Sequence, residues 1–527
     1  MKKIGKLNLA VLAIVGAMTV GCTDVLESIT PDVPEETPEL TVDKTVTLTT
    51  TLSLGSAGTK ALNAAGTKTF DVDDQIAVVY KDESGNTKKA LSAALVAENI
   101  HDEGAKADIT VTLTNPAANG ALRYIYPAAM AKATISTSAT IDDAGTINFS
   151  RLNTQDGTLA SLAANLDLAV YDGTLTAEAA LPASATLENQ FTIGEFTIKE
   201  SAGSTDITSS VTRLTIKNGS DIYTVNTSSL STIWVVMKPV TTGDITFYAA
   251  KGKELYKKTV SGKTLAAGSI YPINVKTSLV SGAVSGLFRI GDNLIYFSQG
   301  NLRATYNYSG SSWSWAFATN QWDYVGNAAG NTTINGNGTV SSTQNVTVDL
   351  FGWVGKSSAF TDVAQYGISN STTTANYGNK SNDTLKSDWG NTIGSGWRTP
   401  SIDEIKGVFN NHTYGMATVN SKHGVILLPY NTTVAGFNTS HNSWSNNSYS
   451  SAQWTTMEAN GAVFLPAAGY RSGSTVSSLG DNDYGYYWSS SLYSTNNASQ
   501  YYLRQDLVRS DSYTYRYEGH SVRLIGE

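Results

Sequence analysis

The sequence predicts a mainly β N-terminal half, built as β-sandwiches, joined to an α+β C-terminal module, and three observations predict it. Short alternating or apolar runs rich in Thr, Ala and Val fill residues 41–279. Composition then changes near residue 280: of 10 Trp only Trp234 precedes that point, and of 27 Tyr only 8 do. Beyond it, Ser401-Ile402-Asp403-Glu404 behind Pro400 has the spacing of a capping box, which starts a helix among Gly-, Asn- and Ser-rich loops.

The elements follow in chain order. Lys2, Lys3 and Lys6 give a positive start, and Leu7 to Gly21 is apolar but too short to span a membrane and stay there, so 1–21 reads as a removable export signal. Cys22, the only cysteine, follows Thr19-Val20-Gly21 and opens a Pro/Glu/Asp/Thr-rich linker over 22–40. That arrangement resembles the lipoprotein signal of bacteria, although Thr19 stands where Leu is usual. The resemblance implies lipidation of Cys22 and attachment to the outer membrane; the alternative is a plain secretory peptide with an incidental cysteine. A single thiol excludes intrachain disulfides and zinc sites built from several cysteines. At 527 residues and 41% hydrophobic content the chain can bury two or more cores. Charged residues make up 15% with a net charge of -8, which offers nucleic acid no broad basic face.

Thr45 to Leu54, Gln75 to Tyr80, Ala107 to Thr114, Val211 to Lys217, Thr232 to Val240 and Ser269 to Lys276 read as strands of antiparallel sandwiches, punctuated by Gly, Asn and Asp. Phe70-Asp71-Val72-Asp73-Asp74-Gln75-Ile76-Ala77-Val78-Val79-Tyr80, then Tyr124-Ile125-Tyr126-Pro127, then Ala267 to Val275, resemble the fimbrillin family of Bacteroides-type pilins. The resemblance implies two sandwich subdomains, expected at 41–165 and 166–279. It also implies strand exchange with other pilin subunits after a protease removes an N-terminal strand. The family cut usually follows Arg; here the first is Arg123, inside the fold, which leaves Lys60 in Gly58-Thr59-Lys60-Ala61 as the candidate processing residue. An uncleaved accessory or tip subunit, or a different protease, fits the same departure.

A C-terminal module is expected over 284–527. Tyr296 to Arg303, Trp315-Ala316-Phe317-Ala318, Leu350-Phe351-Gly352-Trp353, Gly396 to Pro400, Ala467 to Arg471, Tyr487 to Ser490 and Ser521 to Ile525 occur in an order that resembles the C-type-lectin-like modules of Bacteroides surface proteins. The likeness is to the variable proteins of diversity-generating retroelements and to the Fibrobacter succinogenes major paralogous domain. It implies long irregular loops, here Asn327 to Asn382, and a ligand-binding face. From the residues themselves, Ile402, Ile405, Val408 and Phe409 form the apolar stripe of the helix, and Trp353, Trp397 and Trp488 read as aromatic core.

Asp481 to His520 holds nine Tyr among Ser, Asn, Asp and Arg, the mixture that antibody paratopes use because Tyr gives large contact area at little rotamer cost. A period of two puts Tyr501 and Leu503 on one face and Tyr502, Arg504 and Asp506 on the other. Arg509 to His520 reads as loop and edge, and Val522, Leu524 and Ile525 as a buried closing strand. Variation in the retroelement family falls on residues such as Tyr, Asn, Ser and Asp, which implies a ligand-binding set of Ser491, Tyr493, Tyr502, Arg504, Asp506, Arg509, Asp511, Tyr513, Tyr515 and Tyr517. The expected partner is a cell-surface protein, a glycan or a phage ligand. A Tyr/Ser-rich surface without diversification is the alternative.

No catalytic residue, metal ligand or cofactor is expected. The five histidines lack metal spacing, there is no Gly-x-Ser-x-Gly elbow, and no Glu-Pro-Asn or Gln-Pro-Asp segment supplies calcium ligands. The sequence thus points to an adhesin, with a structural pilus subunit bearing a non-binding cap as the rival.

Overall fold

A computed structural model describes residues 43–55, 68–138, 140–326, 345–353, 388–472, 475–478 and 483–527. The run Thr45–Leu54 forms a strand with those bounds, because its β-branched Thr and Val alternate with Leu. It pairs antiparallel with Lys106–Thr114 and parallel with Ser184–Asn189. On its outer face the Thr47 and Thr112 hydroxyls meet at 3.0 Å. On its inner face Leu52 packs with Ile109, Val111 and Leu113.

The first eight-stranded sheet runs in the order Thr87–Leu91, Ala77–Lys81, Ala121–Tyr126, Ala169–Thr174, Ser184–Asn189, Thr45–Leu54, Lys106–Thr114, Ile100–His101. The second runs Ile233–Met237, Thr192–Glu200, Ile270–Leu279, Glu254–Leu265, Val240–Lys251, Arg213–Asn218, Asp221–Asn226, Thr154–Gln155. Every residue of Ala77–Lys81 is buried. Val78 and Tyr80 fill the core of the first sheet, while Ala77 and Val79 join Phe196, Val235 and Phe247 in a core that includes the second. An apolar run without alternation has this meaning, a strand covered on both faces.

Around that core the two sheets interleave along the chain. Thr154–Gln155 already pairs with Asp221–Asn226, whereas Ala169–Thr174 and Ser184–Asn189 remain in the first sheet. The chain crosses between the sheets through the short helix Leu159–Asn165, of which only Leu162 is buried.

In the C-terminal module the helix Ile402–Asn411 starts at Ser401, whose side chain accepts from the Glu404 N–H while the Glu404 carboxylate accepts from the Ser401 N–H. Its buried Ile405, Val408 and Phe409 pack with Phe297, Met416, Tyr487 and Tyr501. Trp353, Trp389 and Trp488 are buried together beside Leu302 and Val522, with Trp397 half-buried against them, so the expected tryptophans are core. Val522, Leu524 and Ile525 are 0% exposed, and Ile525–Gly526 pairs with Tyr296 and Phe297, tying the end of the module to its beginning.

The module is seated on the second sheet. Ile222, Tyr248 and Leu255 pack with Leu287, Leu294 and Tyr296. The Arg213 guanidinium donates to the Ser285 carbonyl at 3.2 Å and to Thr432 Oγ1 at 3.1 Å, and burial pulls its pKa down to about 10. A Cβ at Gly286 would lie 2.0 Å from the Gly461 carbonyl oxygen, so the two backbones approach as only glycine permits. The export signal, Cys22 with its linker, Lys60 and most of Asn327 to Asn382 lie outside the described residues.

Candidate ligand-binding surface

The surface is built on a three-stranded antiparallel sheet, Tyr484–Leu492, Asn497–Arg504 and Leu507–Tyr515, with the middle strand second in sequence. Period-two alternation sorts the middle strand as its sequence requires. Tyr501 and Leu503 are 0% exposed. The Tyr501 ring lies 5.1 Å from Tyr487 in a stacked arrangement and 6.3 Å from Phe409 of the helix, and burial pushes its hydroxyl pKa well up. Tyr502 and Arg504 point to the other side.

Register completes that other face, which places Tyr486, Tyr502 and Arg509 in one row and Tyr484, Arg504 and Leu507 in the next. The rings form a continuous platform: Tyr486 is 5.6 Å from Tyr502, 5.7 Å from Tyr484 and 5.2 Å from Tyr470. Arg504 is hydrogen-bonded to Tyr484 and Arg509 to Tyr502, contacts that raise each guanidinium pKa above its ordinary value. The same arginines sit 2.7 Å from Asp506 and 3.4 Å from Asp511. Beneath the platform His520 is fully buried, stacked 4.3 Å from Trp488 and 5.2 Å from Tyr486. Burial holds its pKa below the usual imidazole value, with Glu518 at 3.5 Å opposing.

The candidate residues do not all share this face. Arg509 to Tyr515 is part of an edge strand, within the stretch expected as loop and edge; it has no large aliphatic side chain, yet its backbone pairs with the middle strand and its side chains alternate in exposure. The register slips by one between the pairs Gln500↔Ser512 and Tyr502↔Arg509. Two residues of the edge strand, Ser510 and Asp511, thus oppose the single Tyr501, which is a β-bulge, and such a slip sends later side chains to the opposite face. Arg509 shares a face with Tyr502, while Tyr513 pairs across to Ser499 on the Tyr501 side.

A second patch results. Tyr493 and Tyr513 stack with centroids 3.7 Å apart and rings within 7°, both about half exposed. Tyr515 stacks on Tyr517 at 5.2 Å, and Tyr517 is only 9% exposed, so it backs the patch more than it presents it. Ser491 belongs to neither patch: its Oγ accepts from the Ile402 N–H at 3.1 Å and ties the sheet to the helix start. Tyr484, Tyr486 and Tyr470, which complete the platform, were passed over because the candidate set followed the family's variable positions, whereas cross-strand register brings these rings together. Among the described residues no group of three or more His, Cys, Asp or Glu could hold a metal ion.

Fold and surface together define a mainly β protein that carries a stiff aromatic and arginine face on its C-terminal module. A family model described as a domain of unknown function, DUF8237, matches residues 439–525, the span that contains the whole three-stranded sheet. No curated protein matches the chain. Among solved structures, a fimbrial assembly protein from Parabacteroides distasonis is similar over 52% of this chain and 99% of its own, with 11% identity and a TM-score of 0.28. A fimbrial protein from Bacteroides ovatus is similar over 92% of this chain and 100% of its own, with 10% identity and a TM-score of 0.24.

Proposed function

We propose that the chain is a surface-displayed adhesin, lipid-anchored at the outer membrane or carried on a pilus as a tip or accessory subunit, and not an enzyme. The observation that carries the reading is the platform of Tyr484, Tyr486 and Tyr502 flanked by Arg504 and Arg509, set on a sheet whose reverse face is packed into the core. Tyr and Arg are the residues that dominate recognition energetics, and a pre-stiffened face loses little entropy on binding. The ligand is a component of another cell surface or of a phage. Whether the C-terminal residues are diversified is read from the neighbouring DNA, where a reverse-transcriptase gene and a near-repeat of the final codons differing at adenines would accompany diversification.

The test is binding of the full chain to bacterial cells, host cells and phage. Tyr502→Ala and Arg509→Ala are each expected to weaken the interaction by about tenfold or more, with Ser491→Ala leaving affinity unchanged. Equal binding by all three variants sinks the site assignment.

One observation favours the structural-subunit reading as well. Thr45–Leu54 bonds to a strand on each side, so its removal would leave Lys106–Thr114 and Ser184–Asn189 with unpaired backbone rows that a neighbouring subunit's strand could fill. Mass spectrometry of the mature N-terminus separates the routes: a new terminus at Ala61 supports cleavage after Lys60 and strand exchange, and an acylated Cys22 supports the anchored adhesin.

A further inference from the structure

Beside the platform, where Tyr484 pairs with Arg504, the surface sinks into a pocket of about 350 Å3. Its walls come from three distant segments: Asn442 and Trp444 from one loop, Asp483 with Tyr484 from the start of the first strand, and Arg504, Gln505 and Asp506 from the turn after the second. The volume falls within the range of small-ligand sites, about 300–1,000 Å3. The floor is held in place. Trp444 is 5% exposed and lies flat on His423, rings 5.4 Å apart and within 5° of parallel, and His423 Nδ1 is 2.8 Å from the Asp483 carboxylate. Asp483 is itself 8% exposed, so a carboxylate is fixed at the base of the site by a partner behind it.

The lining selects a ligand class. Two carboxylates stand against one guanidinium, which is already 2.7 Å from Asp506, so an anionic ligand meets net repulsion. Amide, carboxylate and guanidinium groups side by side supply donors and acceptors in alternation, which suits hydroxyls, since each hydroxyl both donates and accepts. Tyr484 adds an aromatic wall against which an apolar ring face can lie. We propose that this pocket binds one uncharged pyranose of a surface glycan, through side chains alone, and that it is the specificity-determining subsite of the adhesive face. The inference rests on the adhesin reading for its biological setting, and on the pocket geometry for its chemistry.

The experiment is titration of the full chain with free glucose, galactose, mannose, N-acetylglucosamine and fucose, with N-acetylneuraminic and glucuronic acids as charged comparators, followed by ligand-observed NMR and calorimetry with and without EDTA. At least one neutral sugar is expected to bind in the millimolar range, unchanged by EDTA. Tyr484→Ala and Gln505→Ala are each expected to weaken it at least fivefold while circular dichroism and thermal unfolding match the parent. Because Gln505 is exposed, its variant keeps the test valid should Tyr484→Ala perturb folding. Failure of every neutral sugar, preference for an acidic one, loss in EDTA, or indifference to both substitutions overturns the proposal. The two readings fail separately: cell binding that depends on Tyr502 and Arg509 without any sugar binding sinks only the pocket, and sugar binding without any cell or phage adhesion sinks only the adhesin.

Discussion

The Arg289 backbone N–H donates to His412 Nε2 at 2.9 Å, and His412 Nδ1 lies 3.1 Å from the Val408 carbonyl oxygen. With Nε2 accepting, Nδ1 must carry the proton, so the ring is neutral where it sits. Burial lowers its pKa from 6.5, with the Val408 hydrogen bond opposing, and burial lowers that of His520 in the same sense. A histidine freed by unfolding takes up a proton below about pH 6.5 while the folded one resists. The unfolded state then binds more protons, and stability present above that pH is lost as pH falls through the window beneath it. Thermal unfolding between pH 8 and 5 is expected to show a falling melting temperature, with a shallower slope in His412→Gln, whose amide oxygen can still accept from Arg289. An identical slope in the variant would remove His412 from this account. Neither histidine's role was legible in the sequence, where all five were merely scattered; a buried acceptor is defined by the N–H that meets it, and that comes from 123 residues away.

Among elements, the helix Ile402–Asn411 was the most legible. Ser401 and Glu404 satisfy each other's backbone N–H groups, and the Glu404 carboxylate also pairs with Arg398 at 2.5 Å. Ser401→Ala is expected to cost about 1 kcal/mol, read from chemical denaturation, with ligand binding retained; no measurable loss would show that the Arg398 pair alone holds the helix start. Strand Thr45–Leu54 was equally legible, since its alternation is intact throughout. The edge strand Leu507–Tyr515 was not. Reading by twos assumes no insertion, and the bulge opposite Tyr501 inserts one residue, which divides a candidate set continuous in sequence into two patches on opposite faces. Polar and aromatic side chains there also hid a strand whose stability comes from backbone pairing, not from aliphatic burial.

For the whole molecule, the seat between the second sheet and the C-terminal module joins the Tyr- and Arg-bearing sheet to the rest of the protein. Leu287, Leu294 and Tyr296 bury against Tyr248 and Leu255, and Arg213 bridges the boundary; inside the module, next to that bridge, Gly286 meets Gly461 without room for a side chain. Gly286→Ala must push those backbones apart, a strain of about 1–3 kcal/mol. Calorimetry is expected to show a lower melting temperature, with new proteolysis near residues 280–286; an unchanged melting temperature would show that the module accommodates a side chain there. Composition marked the change near residue 280 but carried no trace of the seat, because its partners are ordinary apolar residues far apart in the chain.

The amino-acid order by itself determined several local events: that Thr45–Leu54 is a strand, where the helix begins, that Trp353 and Trp488 go inside and which stretch gathers Tyr and Arg. Each of these depends on neighbours a few positions away, through alternation, capping and side-chain type. Tertiary structure alone decided that the two large sheets share a core, that a single inserted residue turns Tyr513 and Tyr515 away from Tyr502, and that Asn442, Asp483 and Gln505 meet around one pocket. Those outcomes depend on register and on contacts across tens to hundreds of residues, and no local pattern encodes which distant backbone will arrive.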